Sequence, residues 1–196
     1  MFEQYKVSFT DLNKNLEELL DNKINFDLAA VSALFDETKN YSGRDASGII
    51  LKEVSKDTLK LIGGSADLSA STKVSCNAKS FSSDSYFGRN IYFGVREHLM
   101  AAIANGLSLY GLFRPFVGGF FVFSDYMKPS MRLSALMKLP VMYIFTHDSI
   151  HVGEDGPTHQ PIEQLQALRA IPNFITFRPC DYREVIGSYD VAFDLK

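Results

Sequence analysis

From Asn90 onward the chain alternates short apolar runs with longer amphipathic stretches. Asn90-Ile-Tyr-Phe93, Phe116 to Phe121, Val141 to Phe145 and Phe174 to Phe177 have the length and β-branched or aromatic content of strands. Between and after them, Val95 to Tyr110, Ser124 to Lys138, Ile162 to Ala170 and Tyr182 to Phe193 carry a helical period. The first of these places Leu99, Ala102, Ile103, Gly106, Leu107 and Tyr110 on one face and stops at Gly111; the second should kink at Pro129. Upstream, Leu12, Leu16, Leu19 and Leu20 predict an amphipathic helix over Thr10 to Asp21 with Thr10 as its N-cap. The polar stretch from Asp21 to Asn40 reads as a linker with one apolar patch, Phe26 to Phe35. A helix over Arg44 to Val54 leads into the strand Leu59-Lys-Leu-Ile-Gly-Gly64, and the Ser-rich segment Ser65 to Gly88 predicts a long loop.

Strand and helix alternating at this spacing predict an α/β fold: a mainly parallel sheet covered by helices on both faces, a three-layer α/β/α arrangement. Residues 1–40 then form an interdomain linker with its amphipathic helix. Residues 41–196 form one domain, expected to be truncated before its last strand because the pattern stops on a helix.

Composition narrows the functional classes. The 196 residues carry a net charge of −3 without segregated basic blocks, so no electrostatic footprint for nucleic acid is visible. Cys76 and Cys180 are too few for a disulfide framework and fit a reducing cytoplasm. The opening Met1-Phe-Glu-Gln-Tyr-Lys6 lacks the pattern of a signal peptide, and no apolar run reaches the roughly 18 residues of a membrane span. The expectation is a soluble, cytoplasmic domain without nucleic-acid or membrane partners.

Candidate chemistry concentrates in His147-Asp-Ser-Ile-His-Val-Gly-Glu-Asp-Gly-Pro-Thr-His-Gln-Pro161. This loop holds three of the four histidines and directly follows a buried-type strand. In a parallel sheet, the loop beyond a strand's carboxyl end is where ligands bind. His147 and His151, with Glu154, Asp155 and His159 near, have metal-ligand chemistry, but an i, i+4 pair shares a face only within a helix, so no metal site is expected. Glu97, in Gly94-Val-Arg-Glu-His98, falls in a helix's first turn, where a carboxylate either complements the dipole or serves as a catalytic acid. Phe120, Phe123 and Tyr126, beside Gly118 and Gly119, either pack a core or form a wall for a flat heteroaromatic ring. Gly63-Gly-Ser-Ala-Asp67 allows close backbone approach to a ligand but is not a dinucleotide fingerprint.

Taken in order, Gly63-Gly-Ser-Ala-Asp-Leu68, Gly94-Val-Arg-Glu-His98, Ala102-Ile-Ala-Asn-Gly106, Met131-Arg-Leu-Ser-Ala-Leu136, Thr146-His-Asp-Ser149, Gly153-Glu-Asp-Gly-Pro-Thr-His-Gln-Pro161 and Arg178-Pro179 resemble the middle, pyrimidine-binding domain of transketolases. The resemblance runs from about Tyr41 to the end. It implies thiamine diphosphate chemistry: transfer of a two-carbon ketol unit from a ketose phosphate to an aldose phosphate. Glu97 then matches the glutamate that bonds the cofactor's aminopyrimidine ring and favours its imino tautomer, an acid–base role typically worth 10²–10⁴-fold. Phe120, Phe123 and Tyr126 match the pocket around that ring, with Phe123 stacking on it. Arg44, Ser71 and His147 match contacts to the sugar's phosphate end, and Asp155 and His159 match groups that bond its hydroxyls. The implied partner is the diphosphate-binding domain of a second subunit in a homodimer, with sugar phosphates as substrates.

Three departures qualify the match. His151 stands where the family usually has a small residue, and Ser69-Ala-Ser-Thr72 replaces the common Pro-Ser-Asn form. The family's diphosphate and magnesium motif, Gly-Asp-Gly with a later Asn, does not occur. Thiamine diphosphate and Mg²⁺ are therefore expected in a full-length enzyme and neither in this chain, which should be inactive by itself. The alternatives are one subunit of a split transketolase-like enzyme, or a non-catalytic module.

Overall fold

The computed structural model describes residues 2–21 and 23–195. Four strands form one parallel sheet: β1 (Leu61–Ser65), β2 (Asn90–Tyr92), β3 (Arg114–Phe120) and β4 (Met142–Thr146), in the order β2-β1-β3-β4. Gly63 pairs with Asn90 on one side and Phe116 on the other, and Phe120 pairs with Thr146 at the far end. Parallel neighbours require crossovers, which the helices supply.

Nine α-helices surround the sheet among the described residues: α1 (Phe2–Ser8), α2 (Thr10–Leu20), α3 (Leu28–Ser32), α4 (Gly43–Val54), α5 (Ser69–Thr72), α6 (Glu97–Tyr110), α7 (Ser124–Leu136), α8 (Gln164–Arg169) and α9 (Tyr182–Asp194). The two sheet faces bury separate cores. On one, Ile50, Leu51, Leu61, Phe116, Val185 and Tyr189 pack α4 and α9 against the strands. On the other, Met100, Ala104, Val117, Phe121, Met131 and Leu168 seat α6, α7 and α8. This is the three-layer α/β/α fold expected from the alternation.

Several local expectations need correction. Phe174 to Phe177 is not a strand: its alternation suits one, but it makes no ladder bonds; Phe174 packs on Tyr143 of β4 at 5.8 Å between ring centroids, and both segments line a cavity of about 1040 Å³. Gly63 and Gly64 lie inside β1, not at a ligand-facing end. A Cβ on Gly63 would come within 1.6 Å of the Phe116 carbonyl and one on Gly64 within 2.1 Å of the Ile91 carbonyl, so these glycines serve close strand packing. The N-cap of α2 is Phe9; the Thr10 hydroxyl instead donates to Val7 O at 3.4 Å. Pro129 lies inside α7, as the helical period over Ser124 to Lys138 implied. In the polar stretch before Asn40, Asp27 caps α3 by accepting from Ala29 N and Ala30 N, and Val31 and Phe35 join the core. Ser65 to Gly88 is mostly loop, with α5 inside it.

The apolar face that the sequence marks on α6 is not the one the fold buries. Met100, Ala101, Ala104 and Asn105 point inward, while Leu99, Ile103 and Tyr110 are 49%, 36% and 70% exposed. The helix is apolar on both sides, so periodicity could not tell the core face from an outward one.

Candidate active site

The rim at the carboxyl ends of the strands gathers the candidate residues. β3 ends in Phe120 and runs through a tight 3-10 turn, Phe121–Phe123, straight into α7. This places three rings in series: Phe120 and Phe123 are near-parallel at 6.1 Å, and Phe123 and Tyr126 lie at 6.0 Å. The series grades outward, because Phe120 is buried at 8% exposure and Tyr126 is 63% exposed. The aromatic stripe is therefore core at Phe120 and open to solvent at Tyr126.

His147 leaves β4 with φ of +55°, a left-handed turn that swings its ring onto Phe120 at 3.7 Å. Its Nδ1 lies 2.8 Å from the Thr146 hydroxyl. His159, from the 3-10 turn Pro157–His159, stands edge-on to Phe123 at 5.3 Å. Gly153 and Gly156 take φ of +94° and +75°, which fold the intervening loop and carry Asp155. Burial is the main force pushing the His147 pKa below its ordinary value, and the Arg44 charge adds to it; Asp155 and Asp148 oppose. His147 and His159 both lie against Phe120, at 3.7 and 6.3 Å between ring centroids, and the charges of Arg44 and Asp155 act on His147. Arg44 sits in the first turn of α4, and its Nη1 donates to Ser71 O at 3.4 Å. Beside the cluster, Arg178 Nε donates to Asp148 Oδ2 at 2.9 Å, which holds the segment after Phe177 to the same rim.

Glu97 stands apart. It opens α6 after a turn in which Gly94 has φ of +66° and Arg96 Nη1 donates to Phe93 O at 2.9 Å. β2 and β4, the strands leading to Glu97 and His147, are the outermost two of the sheet. Three strand spacings at ~4.8 Å put them roughly 14 Å apart, on one rim. None of the six ion pairs among the described residues involves Glu97 or Arg44. An elongated ligand with a flat ring toward Glu97 and an anionic end toward Arg44 matches this spread.

The cavity along β4 reaches this rim through Arg44, His147, Asp148, His151 and Arg178, and runs down to Arg114 and Leu195 at the opposite end. Glu97, Phe123 and Tyr126 do not line it. No group of three or more His, Cys, Asp or Glu is placed to hold a metal ion among the described residues. Thr146 and Asp148 stand in the Thr146-His-Asp-Ser149 motif but have no role assigned from the sequence; in the fold Thr146 contacts His147 and Asp148 accepts from Arg178.

A parallel α/β domain with a titratable and aromatic rim at its strand ends belongs to the class that binds ligands across a sheet edge. Residues 39–196 match the family model described as "Transketolase, pyrimidine binding domain", and the chain belongs to that family. It is 44% identical over 197 residues to the transketolase of Halalkalibacterium halodurans, covering 100% of this chain and 30% of that protein. The crystal structure of transketolase from Campylobacter jejuni superimposes with a TM-score of 0.84 at 45% identity, over 96% of this chain and 29% of that one. A "Split gene transketolase, inactive beta4 tetramer" is 30% identical at a TM-score of 0.63, over 81% of this chain and 50% of its own. The chain thus spans about a third of the length of the curated relatives it matches. No described helix is long and apolar enough to cross a membrane.

Proposed function

We propose that this domain supplies the pyrimidine-binding and sugar-binding half of a thiamine diphosphate site in a longer transketolase, which moves a two-carbon ketol unit between sugar phosphates. The observation that carries the reading is the rim itself: an open ring wall flanked by a helix-terminal carboxylate on one side and an Arg–His–Asp–His cluster on the other.

The residues fit the cofactor's heteroaromatic half. Phe123 and Tyr126 offer ring faces for stacking, worth about 0.5–1.5 kcal/mol per pair. Glu97 would hold a ring nitrogen by a charge-assisted hydrogen bond and so bias the ring's tautomer. When bound, the cofactor supplies a carbon nucleophile that this chain cannot provide. Around it, Arg44 and His147, with Ser71 beside them, would take the phosphate end of the sugar; a guanidinium fork suits two phosphate oxygens at once. His147, kept neutral near pH 7, acts there as a hydrogen-bonding group rather than a cation. Asp155 and His159 would hold sugar hydroxyls and fix the chain's orientation.

Diphosphate and Mg²⁺ need oxygen ligands, and these would come from another domain. The exposed apolar face of α6, with Val95 75% exposed ahead of it, supports docking against such a domain in a second copy of the protein. A connector over 1–40, a domain over 41–196, a homodimer, a cytoplasmic location and a place in the pentose phosphate pathway complete the reading. The roughly threefold length of the relatives supports a domain of one long chain over a split subunit.

The decisive experiment substitutes Glu97 in the full-length protein. Glu97→Gln keeps the shape and removes the charge, so turnover should fall by roughly 10²-fold or more with the fold intact. Near-normal turnover would reduce Glu97 to a helix-dipole partner.

A further inference from the structure

Two of the sequence motifs have no part in the site: Ala102-Ile-Ala-Asn-Gly106 on α6 and Met131-Arg-Leu-Ser-Ala-Leu136 on α7. The structure brings them together in a buried polar node. Asn105 is 6% exposed, and Ser130 and Ser134 are each 2% exposed. Asn105 Nδ2 donates to Ser130 O at 2.9 Å, and the Ser134 hydroxyl donates to Asn105 Oδ1. Ser134 Oγ lies 2.7 Å from the Tyr143 hydroxyl of β4. With one proton per hydroxyl, these three contacts are satisfied together when Tyr143 donates to Ser134, Ser134 to Asn105, and Asn105 to the Ser130 carbonyl, which Ser134 Oγ also approaches at 3.0 Å. Burial pushes the Tyr143 pKa up to about 12, so that donor keeps its proton. One turn nearer the rim, Ser130 Oγ lies 3.3 Å from His98 Nδ1, the residue next to Glu97.

The node joins the three elements that carry the proposed site, at nearly the same depth in each. Asn105 is eight residues beyond Glu97 on α6, and Ser134 eight residues beyond Tyr126 on α7. At ~1.5 Å per residue both offsets are about 12 Å. Tyr143 is four residues before His147 on β4, about 13 Å at ~3.3 Å per residue. An apolar helix interface can slide by a fraction of a turn at little cost. A matched hydrogen-bonded chain resists this, because a slip breaks its donor–acceptor pairs and leaves Asn105 unpaired in the interior, while Ser134 and Tyr143 also line the cavity along β4.

We propose that Asn105, Ser134 and Tyr143 are positioning residues: their hydrogen-bonded node sets the register of α6 and α7 on β4, and thereby the separation of Glu97, the Phe123–Tyr126 wall and His147. This rests on the functional reading above. None of the three touches ligand.

The test uses the full-length protein and four variants. Ser134→Ala and Tyr143→Phe each remove one hydroxyl and little volume; Ser134→Thr restores the hydroxyl; Glu97→Gln reports on the functional reading. Turnover, sugar phosphate KM, thiamine diphosphate affinity by titration calorimetry in the presence of magnesium, and thermal midpoint are measured for each. Ser134→Ala and Tyr143→Phe should each lower kcat about fivefold or more and weaken cofactor binding severalfold, with KM within about twofold, and Ser134→Thr should recover most of both. A lower thermal midpoint with unchanged kcat and cofactor affinity would make the node a stability element and overturn the proposal, while the loss in Glu97→Gln would leave the functional reading standing. Full turnover in Glu97→Gln would remove that reading and the positioning role together. If Ser134→Ala does not fold, Tyr143→Phe gives the same decision.

Discussion

At the scale of single residues, His147 is the most informative group. Its ring stacks on Phe120, its Nδ1 is held by Thr146, and its pKa is lowered first by burial and then by Arg44. The neutral form is therefore the one the folded chain favours. A base whose folded pKa lies below its unfolded value binds fewer protons when folded, so its contribution to stability is present above the ordinary histidine pKa. It is lost as the pH falls from about 6.5 toward the lowered folded value. Removing the nearby cation should relax this: in Arg44→Ala the His147 titration, followed by imidazole NMR signals, should move up in pH. In Asp155→Asn it should move down, since that carboxylate opposes the shift. A His147 midpoint unmoved by either change would mean the cluster is more dispersed than the couplings indicate.

At the scale of elements, α9 is held by two contacts of different kinds, one to α4 and one to the start of β3. Tyr189 Oη and Ser47 Oγ of α4 lie 2.8 Å apart in the core, where burial pushes the Tyr189 pKa up to about 12. Arg114, the first residue of β3, donates from Nη1 to Leu195 O at 2.6 Å and from Nη2 to Ala192 O; its own pKa is lowered to about 10 by burial. Tyr189→Phe removes one neutral hydrogen bond and should cost about 0.5–1.5 kcal/mol. Arg114→Leu removes charge-assisted bonds to carbonyls that end a helix and should cost more, about 1.5–3 kcal/mol. Urea denaturation of both variants checks the ranking. The reverse order would mean that solvent already satisfies the end of α9.

At the scale of the whole molecule, the proposed function makes the rim half of a site. Stacking on one or two rings and one charged hydrogen bond supply about 2–6 kcal/mol in total. Immobilising a ligand costs an estimated 4 kcal/mol or more. The 196-residue chain should therefore bind thiamine diphosphate weakly or not at all, even with magnesium, and should show no ketol transfer. Titration calorimetry decides this, and micromolar binding would require a diphosphate site within these residues. The outward face of α6 points to the same incompleteness: Leu99, Ile103 and Tyr110 are apolar groups left in water by this chain. Self-association of the chain, measured by sedimentation, should weaken when Leu99 and Tyr110 are replaced by Ser.

The sequence by itself determined most of the local order. Apolar period and turn residues gave the strands around Leu61, Asn90, Phe116 and Met142, the helices from Glu97, Ser124, Gln164 and Tyr182, and the parallel three-layer class, because these depend on spacing within a dozen residues. Motif order likewise determined the family. What required the tertiary structure was every choice between alternatives of equal local merit. Phe174 to Phe177 has a strand's alternation, but pairing is a property of two segments, and it forms no ladder with β4. α6 is apolar on two faces, and only the sheet decided which is buried. Gly63 and Gly64 could equally have faced a ligand or a neighbouring strand, and the carbonyls of Phe116 and Ile91 settled that. The node of Asn105, Ser134 and Tyr143 joins residues up to 38 positions apart, with donors and acceptors matched only once three elements meet. Spacing along a chain fixes which residues share a face; contact between faces fixes what each residue does.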